Sequence, residues 1–344
     1  MGRQMDVASI CLTEGTPGDH KYDISKSLVQ SAMKAYNANP WFTPGEISRA
    51  FNALAHMLEP DKLSSWLGTY AIPLLTPSKR KIIRVIMAGN IPLAGFHDMV
   101  CVVLSGHVLE MKTSSQDAFL PRTVAEILAE LPGSSSIRPY NRKNEQFDAI
   151  IATGSNNSAR YFKAIADNKP SIIRRNRNSM AVLTGAESDH DLHMLAEDVF
   201  AYFGLGCRNV SLIMVPLDYD LSILASAWES YAHVKHHPKY RNNLLHNKAL
   251  FQIKGEPFVD AGVCLFKESN ELTPPLGVVH FMTYKHLSDT KRFYNSHHHD
   301  LQCVVGSSLV SEFIPPAIPF GTSQKPGLSD YADGVDTMAF LLSL

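Results

Sequence analysis

Apolar residues in the first 80 positions recur at three- and four-residue intervals, the period of amphipathic helices. The spacing predicts helices over 25–36 and 44–56, the second opened by Thr43 as N-cap with Pro44 at the first helical position. From Lys81 the rhythm changes to short β-branched runs alternating with helical stretches. Strands are expected at 82–87, 107–112, 149–152, 171–174 and 180–183, with helices at 96–104, 121–131 and 158–166. A helix from Leu192 to Phe203 follows, ended by Gly204 and Gly206. A second set then begins: strands at 211–215, 262–266, 278–283 and 302–305, with helices at 221–233 and 288–295. Strands alternating with helices imply parallel sheets covered on both faces. The pattern therefore predicts an α/β protein of two doubly wound domains behind a mostly helical N-terminal segment. The expected divisions are 1–80 helical, 81–203 and 204–310 as the two domains, and 311–344 as a tail. That tail, rich in Pro and Gly and ending in apolar 338–344, is expected to pack across domains or subunits, which suggests a homo-oligomer.

Composition narrows the picture only at its edges. The 344 residues are 45% hydrophobic and 19% charged with a formal net charge of −1, which lacks the basic excess of a nucleic-acid binder. No apolar run is long enough to span a bilayer, and Met1-Gly2-Arg3-Gln4-Met5-Asp6 resembles neither a signal peptide nor a myristoylation site. Five scattered cysteines do not form a disulfide pattern, so a reducing cytoplasm is the expected compartment.

Candidate chemistry concentrates at strand ends. Cys207 lies in Phe203-Gly204-Leu205-Gly206-Cys207-Arg208, a Gly-flanked turn where a thiol beside a cation is placed for a lowered pKa and for attack on a carbonyl. The alternative is an inert buried cysteine. Ala88-Gly89-Asn90-Ile91-Pro92 follows a strand, where the Asn90 amide could donate to an oxyanion or merely satisfy its own turn. Lys112 ends a strand and is followed by Thr113, Ser114 and Ser115, a cation with hydroxyls that suits a ribose or a phosphate. Thr153-Gly154-Ser155 is a strand-to-helix turn, which reads as an anion seat or as a serine N-cap. Arg174-Arg175-Asn176-Arg177-Asn178 is either a solvated turn or a grip on phosphates. The histidines at 233, 236, 237, 246 and 297–299 have no metal-ligand spacing and are expected on surface loops, with no metal site.

Taken together, these segments resemble the aldehyde dehydrogenase superfamily. Within it, the chain resembles the acyl-CoA reductases that include the LuxC subunit of bacterial fatty-acid reductase, from about Lys81 to the C-terminus. The resemblance implies an aldehyde dehydrogenase-like fold in which Cys207 is the nucleophile and Asn90 belongs to the oxyanion hole. Lys112, Ser114 and Ser115 would hold the adenosine ribose of the cofactor, Gly154 and Ser155 would lie by its pyrophosphate, and Glu271 would bind the nicotinamide ribose. It also matches Asp189-His190-Asp191-Leu192 to the entry of the helix before the nucleophile, and Pro319-Phe320-Gly321 to a C-terminal motif. Where hydrolytic relatives carry a carboxylate base, Arg174 to Ser179 has none, which disfavours water attack on an acyl-enzyme. Ser115 in place of a glutamate admits NADPH as well as NADH. The implied activity is reduction of an acyl-CoA or related acyl thioester to an aldehyde, a fatty one by resemblance, with a partner acyl-transfer enzyme conceivable. Two other readings stay open: an acyl-thioester transferase or thioesterase using the same cysteine, and a non-catalytic acyl-binding subunit.

Overall fold

The computed structural model describes residues 1–14, 23–70, 79–130, 137–141, 146–314 and 317–344. The chain divides into two compact units, Met1–Asn176 with Lys325–Leu344, and Arg177–Gln324.

The first unit is built on five parallel strands: β1 Ile82–Ile86, β2 Val108–Lys112, β3 Ile137–Pro139, β4 Ala149–Thr153 and β5 Ser171–Arg174, in the order β3-β2-β1-β4-β5. The order reverses direction between β1 and β4, the place where open α/β sheets bind ligands beyond their strand ends. The helices expected at 25–36 and 44–56 run Asp23–Ala38 and Pro44–Met57, and the Thr43 hydroxyl accepts the Glu46 N–H as its cap. Gly2–Glu14 and Pro60–Gly68 are also helical. These helices are not a separate segment, since Leu28, Phe42, Ile47, Phe51 and Trp66 share one apolar core with Ile83, Val85 and Leu109 of the sheet. A smaller core of Ile86, Ile150, Ala152, Phe162 and Ala166 includes the helix Asn156–Ala166.

Seven strands form the second sheet: β6 Asn178–Val182, β7 Val210–Pro216, β8 Val259–Asp260, β9 Leu265–Glu268, β10 Val278–Tyr284, β11 Leu301–Gly306 and β12 Ala317–Ile318. Their order is β12-β11-β6-β7-β10-β9-β8, parallel except for the β8–β9 pair.

Two expected boundaries are corrected. The first domain does not extend to 203, because β6 pairs with β7 and β11 and so carries 177–203 into the second unit. The tail divides at 324/325, and its helix Thr337–Leu342 buries Met338 and Leu341 in the core of the first unit. There the Leu341 carbonyl accepts a hydrogen bond from His107 at 3.1 Å.

Candidate active site

Cys207 sits on a turn whose backbone is held by its neighbours. The preceding helix, Asp189–Phe200, begins with Ser188 and Asp191 in a reciprocal capping box. It ends at Phe200, before the glycines expected to stop it. Tyr202 and Phe203 adopt left-handed backbone, φ 52° and 58°, followed by Gly204 at 76°. Non-glycine residues in that region cost about 1–2 kcal/mol each, so the reversal requires outside support. Asn209 supplies it. Its Nδ2 donates to the carbonyls of Asp198, Val199 and Ala201 at 3.1, 3.2 and 2.9 Å, and its Oδ1 accepts the Gly206 N–H at 2.7 Å. The last carbonyls of the helix, which have no partner within it, thereby gain one. The aromatic ring of Phe203 lies 4.6 Å from that of His237, and Trp228 crosses Phe200 edge-on at 5.2 Å.

Cys207 itself is half-buried, unlike the fully buried Cys101 and Cys264. Burial pushes those two thiols up, Cys264 more than the ordinary range allows, which keeps them protonated and inert. The Cys207 carbonyl accepts the Ser179 hydroxyl at 3.0 Å, tying the turn to β6. Pro319-Phe320-Gly321 packs on the same helix. The buried Asp198 carboxylate accepts the N–H groups of Gly321 at 2.6 Å and Ser323 at 2.9 Å. Glu271 is exposed in this unit, with its carbonyl accepting the His280 ring N–H at 2.7 Å.

The other candidates line up along the C-terminal edge of the first sheet. Asn90 is half-buried on the loop after β1, and Gly154 and Ser155 form the turn after β4, the two strands that flank the reversal of strand order. Lys112 ends β2 with its ammonium 5.5 Å from the centre of the Tyr140 ring. A cavity of about 530 Å³ opens there, lined by Lys112, Arg122, Arg138 and Tyr140 over Met111 and Ile137. Arg138, on β3, is paired with Glu110 at 2.9 Å, and Glu126 shares the lining with Arg122 of the helix Leu120–Ala129, so Lys112 is the cation that stands at a strand end here. Ser114 is half-buried and Ser115 exposed. The Ser155 hydroxyl accepts the Ser158 N–H at 3.2 Å, so this serine is an N-cap and its side chain is spent on the helix.

Two readings are corrected. Arg174 is no phosphate grip, because it is buried on Asp98 at 2.6 Å and donates to the Thr337 hydroxyl at 2.8 Å. The histidines are exposed or half-buried, as expected, but all except His237 lie in helical segments and not on loops: His233 and His236 fall on a 3-10 segment, His246 on the helix Pro238–Lys254, His297 on Leu287–His297, and His298 and His299 on a short 3-10 turn, while His237 is the extended N-cap of Pro238–Lys254. Among the described residues no three His, Cys, Asp or Glu side chains gather as metal ligands. Nor is any helix among the described residues long and apolar enough to cross a membrane.

Asn209 and Asp117 were not singled out by sequence. Asn209 stands two residues after the cysteine, where an asparagine after a helix-ending glycine turn is a recognisable capping signal. Asp117 gave none beyond its place after Lys112.

The fold is that of the aldehyde dehydrogenases. Similar structures include aldehyde dehydrogenase 21 from Physcomitrella patens, 13% identical, covering 99% of this chain and 83% of that one with a TM-score of 0.63. An aldehyde dehydrogenase from Mycobacterium tuberculosis, complexed with NAD+, is 15% identical over 90% of this chain and 78% of that one (TM-score 0.56). The P. syringae indole-3-acetaldehyde dehydrogenase AldA, in complex with NAD+, is 13% identical over 89% and 71% (TM-score 0.59). No curated protein sequence matches. Residues 24–223, more than half of the chain, match the acyl-CoA reductase (LuxC) family, and the chain belongs to that family. The match begins well before Lys81, so it includes helices in which no motif was legible, and it closes before Glu271 and Pro319.

Proposed function

We propose that this protein is an acyl-CoA reductase that carries the acyl group on Cys207. The observation that supports this most is the half-exposed Cys207 on a turn fixed by Asn209, in a chain of the acyl-CoA reductase family. The thiolate attacks the thioester carbonyl, forming the Cys207 S–C bond. The carbonyl oxygen becomes an oxyanion, for which the Asn90 amide and the Cys207 N–H are the donors in this reading. As the oxyanion collapses, the C–S bond to CoA breaks, and the CoA thiolate leaves and takes a proton from solvent. A nicotinamide, NADPH or NADH, supplies the hydride that reduces the acyl-cysteine. Lys112, Ser114 and Ser115 hold its adenosine end in this reading, the Gly154 and Ser155 turn its pyrophosphate, and Glu271 its second ribose. After reduction, the oxyanion again falls to the same donors, the C–S bond to Cys207 breaks, the aldehyde leaves and the thiolate returns.

The stretch Arg174 to Ser179 supports reduction over hydrolysis. It contains no carboxylate to activate water, and Arg174 is locked in its pair with Asp98. The test is to mix the protein with a long-chain acyl-CoA, with and without NADPH or NADH, following nicotinamide absorbance and the mass of the Cys207 peptide. An acyl adduct without cofactor, and stoichiometric aldehyde with it, support the reading. Turnover that survives Cys207→Ala would overturn it, and an adduct that forms without nicotinamide oxidation would convert it to acyl transfer.

A further inference from the structure

The loop after β1, Met87 to Gly95, is fastened at two points on either side of Asn90, both by the segment after β2. On one side, Gly89 lies so close to that segment that a Cβ there would come within 2.5 Å of the Ser114 Cβ and Oγ and 3.1 Å of the Asp117 nitrogen. On the other side, the Leu93 N–H donates to Asp117 Oδ2 at 2.7 Å. Leu93 holds a left-handed conformation, φ 58°, which a leucine adopts only when its surroundings impose it.

Asp117 is unusual in its own right. It is 1% exposed, and its second oxygen, Oδ1, has no hydrogen-bond partner among the described residues. A buried carboxyl with one partner is a costly way to hold a backbone amide. The burial pushes its pKa up to about 7, while the Leu93 amide opposes the shift. The segment that carries it is itself braced. Asp117 N donates to the Ser114 carbonyl at 3.3 Å, Gln116 N to the Ser114 hydroxyl at 3.2 Å, and Asn39 Nδ2 to the Gln116 carbonyl at 3.2 Å.

We propose that Asp117 is a positioning residue for Asn90: by holding the Leu93 amide it fixes the loop from which the Asn90 side chain meets the developing oxyanion. The proposal rests on the reading of Asn90 as an oxyanion donor. A donor of that kind works only if its place is set before charge develops, and a shift of about 1 Å can cost up to about 10²-fold in rate. Asp117 touches neither substrate nor cofactor in this scheme and acts only through the Leu93 backbone.

The experiment is single-turnover acylation of Cys207 by a long-chain acyl-CoA without nicotinamide, quenched and read by the mass of the Cys207 peptide. It compares the full-length wild type with Asp117→Ala, Asp117→Asn, Asn90→Ala and the double variant Asn90→Ala/Asp117→Ala. Asp117→Ala is expected to slow acylation about tenfold or more while half-saturation by acyl-CoA moves less than about twofold. Asp117→Asn keeps an oxygen for the Leu93 N–H and should acylate within about threefold of wild type. In the Asn90→Ala background, Asp117→Ala should add less than about twofold, because the group it positions is already gone. If Asp117→Ala does not fold, Asp117→Ser, whose hydroxyl is one bond shorter than the carboxyl, takes its place with the same expectations. A wild-type rate in Asp117→Ala, an equal slowing in both backgrounds, or an Asp117→Asn as slow as Asp117→Ala overturns the proposal. Failure of the underlying reading shows separately, as an Asn90→Ala single variant that acylates at the wild-type rate.

Discussion

Replacing Asn209 with alanine tests whether the Cys207 turn is built by one side chain. Asn209 is 4% exposed, and its amide makes four contacts: three from Nδ2 to helix carbonyls and one from Oδ1 to the Gly206 N–H. Nδ2 has only two hydrogens, so one is shared between carbonyls, and the group amounts to three hydrogen bonds. At about 0.5–1.5 kcal/mol net for each, with the upper end favoured where buried carbonyls lose their partner, Asn209→Ala should cost about 2–4 kcal/mol. Tyr202 and Phe203 make the loss worse, because the Asn209 bonds no longer help to offset their left-handed backbone and the reversal can relax. Asn209→Asp keeps the acceptor for Gly206 but sets a carboxylate against three carbonyls, and should destabilise at least as much. Denaturant unfolding read by tryptophan fluorescence gives the stability, since Trp228 packs on Phe200 at this helix end. The rate of Cys207 alkylation gives the state of the turn. A loss below about 0.5 kcal/mol with unchanged alkylation would refute the argument that this side chain holds the turn.

Asp117 predicts a pH-dependent stability. Its carboxyl titrates at about 7 in the folded chain, so it keeps its proton there long after the unfolded chain, with a value near 3.8, has lost it. The stabilisation is complete below about pH 4 and is lost as pH rises through about 7, by roughly 4 kcal/mol over three units. Asp117→Asn cannot ionise, so its stability relative to wild type should rise by that order between pH 4 and pH 8; parallel stability curves would exclude the buried titration. Gly321→Ala should cost about 1–3 kcal/mol, read as a lowered Tm, because φ is 76° and the new Cβ would run into the Met194 side chain. An unchanged Tm would mean that the Asp198 clamp tolerates a rebuilt turn.

Where periodicity is local, the chain could be read directly. The strand Ser171–Arg174 and the helix Phe96–Leu104 begin and end where the pattern put them, and Thr43 caps the helix it was expected to cap. The 17-residue helix Pro238–Lys254 was hidden by its chemistry. Its buried face is Tyr240, Leu244, Asn247 and Phe251, and the Asn247 amide that interrupts the apolar stripe is spent on the Leu276 carbonyl at 2.9 Å. The boundary was misplaced for a different reason. Asn178–Val182 reads as one more strand of the first set, and only its pairing with residues 31 or more positions away assigns it to the second sheet. Parallel pairing leaves no short-range signature in sequence, since neighbours are joined through long crossovers.

The candidate site divides along the same line. Candidate reactive groups announce themselves by type and neighbours, so Cys207 stands out as a candidate from its own segment, while Asn90 and Lys112 become candidates only when several segments are taken together. What holds them is non-local: Ser179 reaches the Cys207 carbonyl from 28 positions away, Asp117 reaches Leu93 across 24, and Asp198 reaches Gly321 across 123. Each of these supports satisfies a backbone group rather than another side chain, so no pairing of residue types betrays it in the sequence. A site of this kind can therefore lose its function through a residue that has no reactive chemistry. Asn209 and Asp117 are the positions where that consequence is sharpest, because each is a buried side chain whose hydrogen bonds go to the backbone of a loop that carries a candidate group.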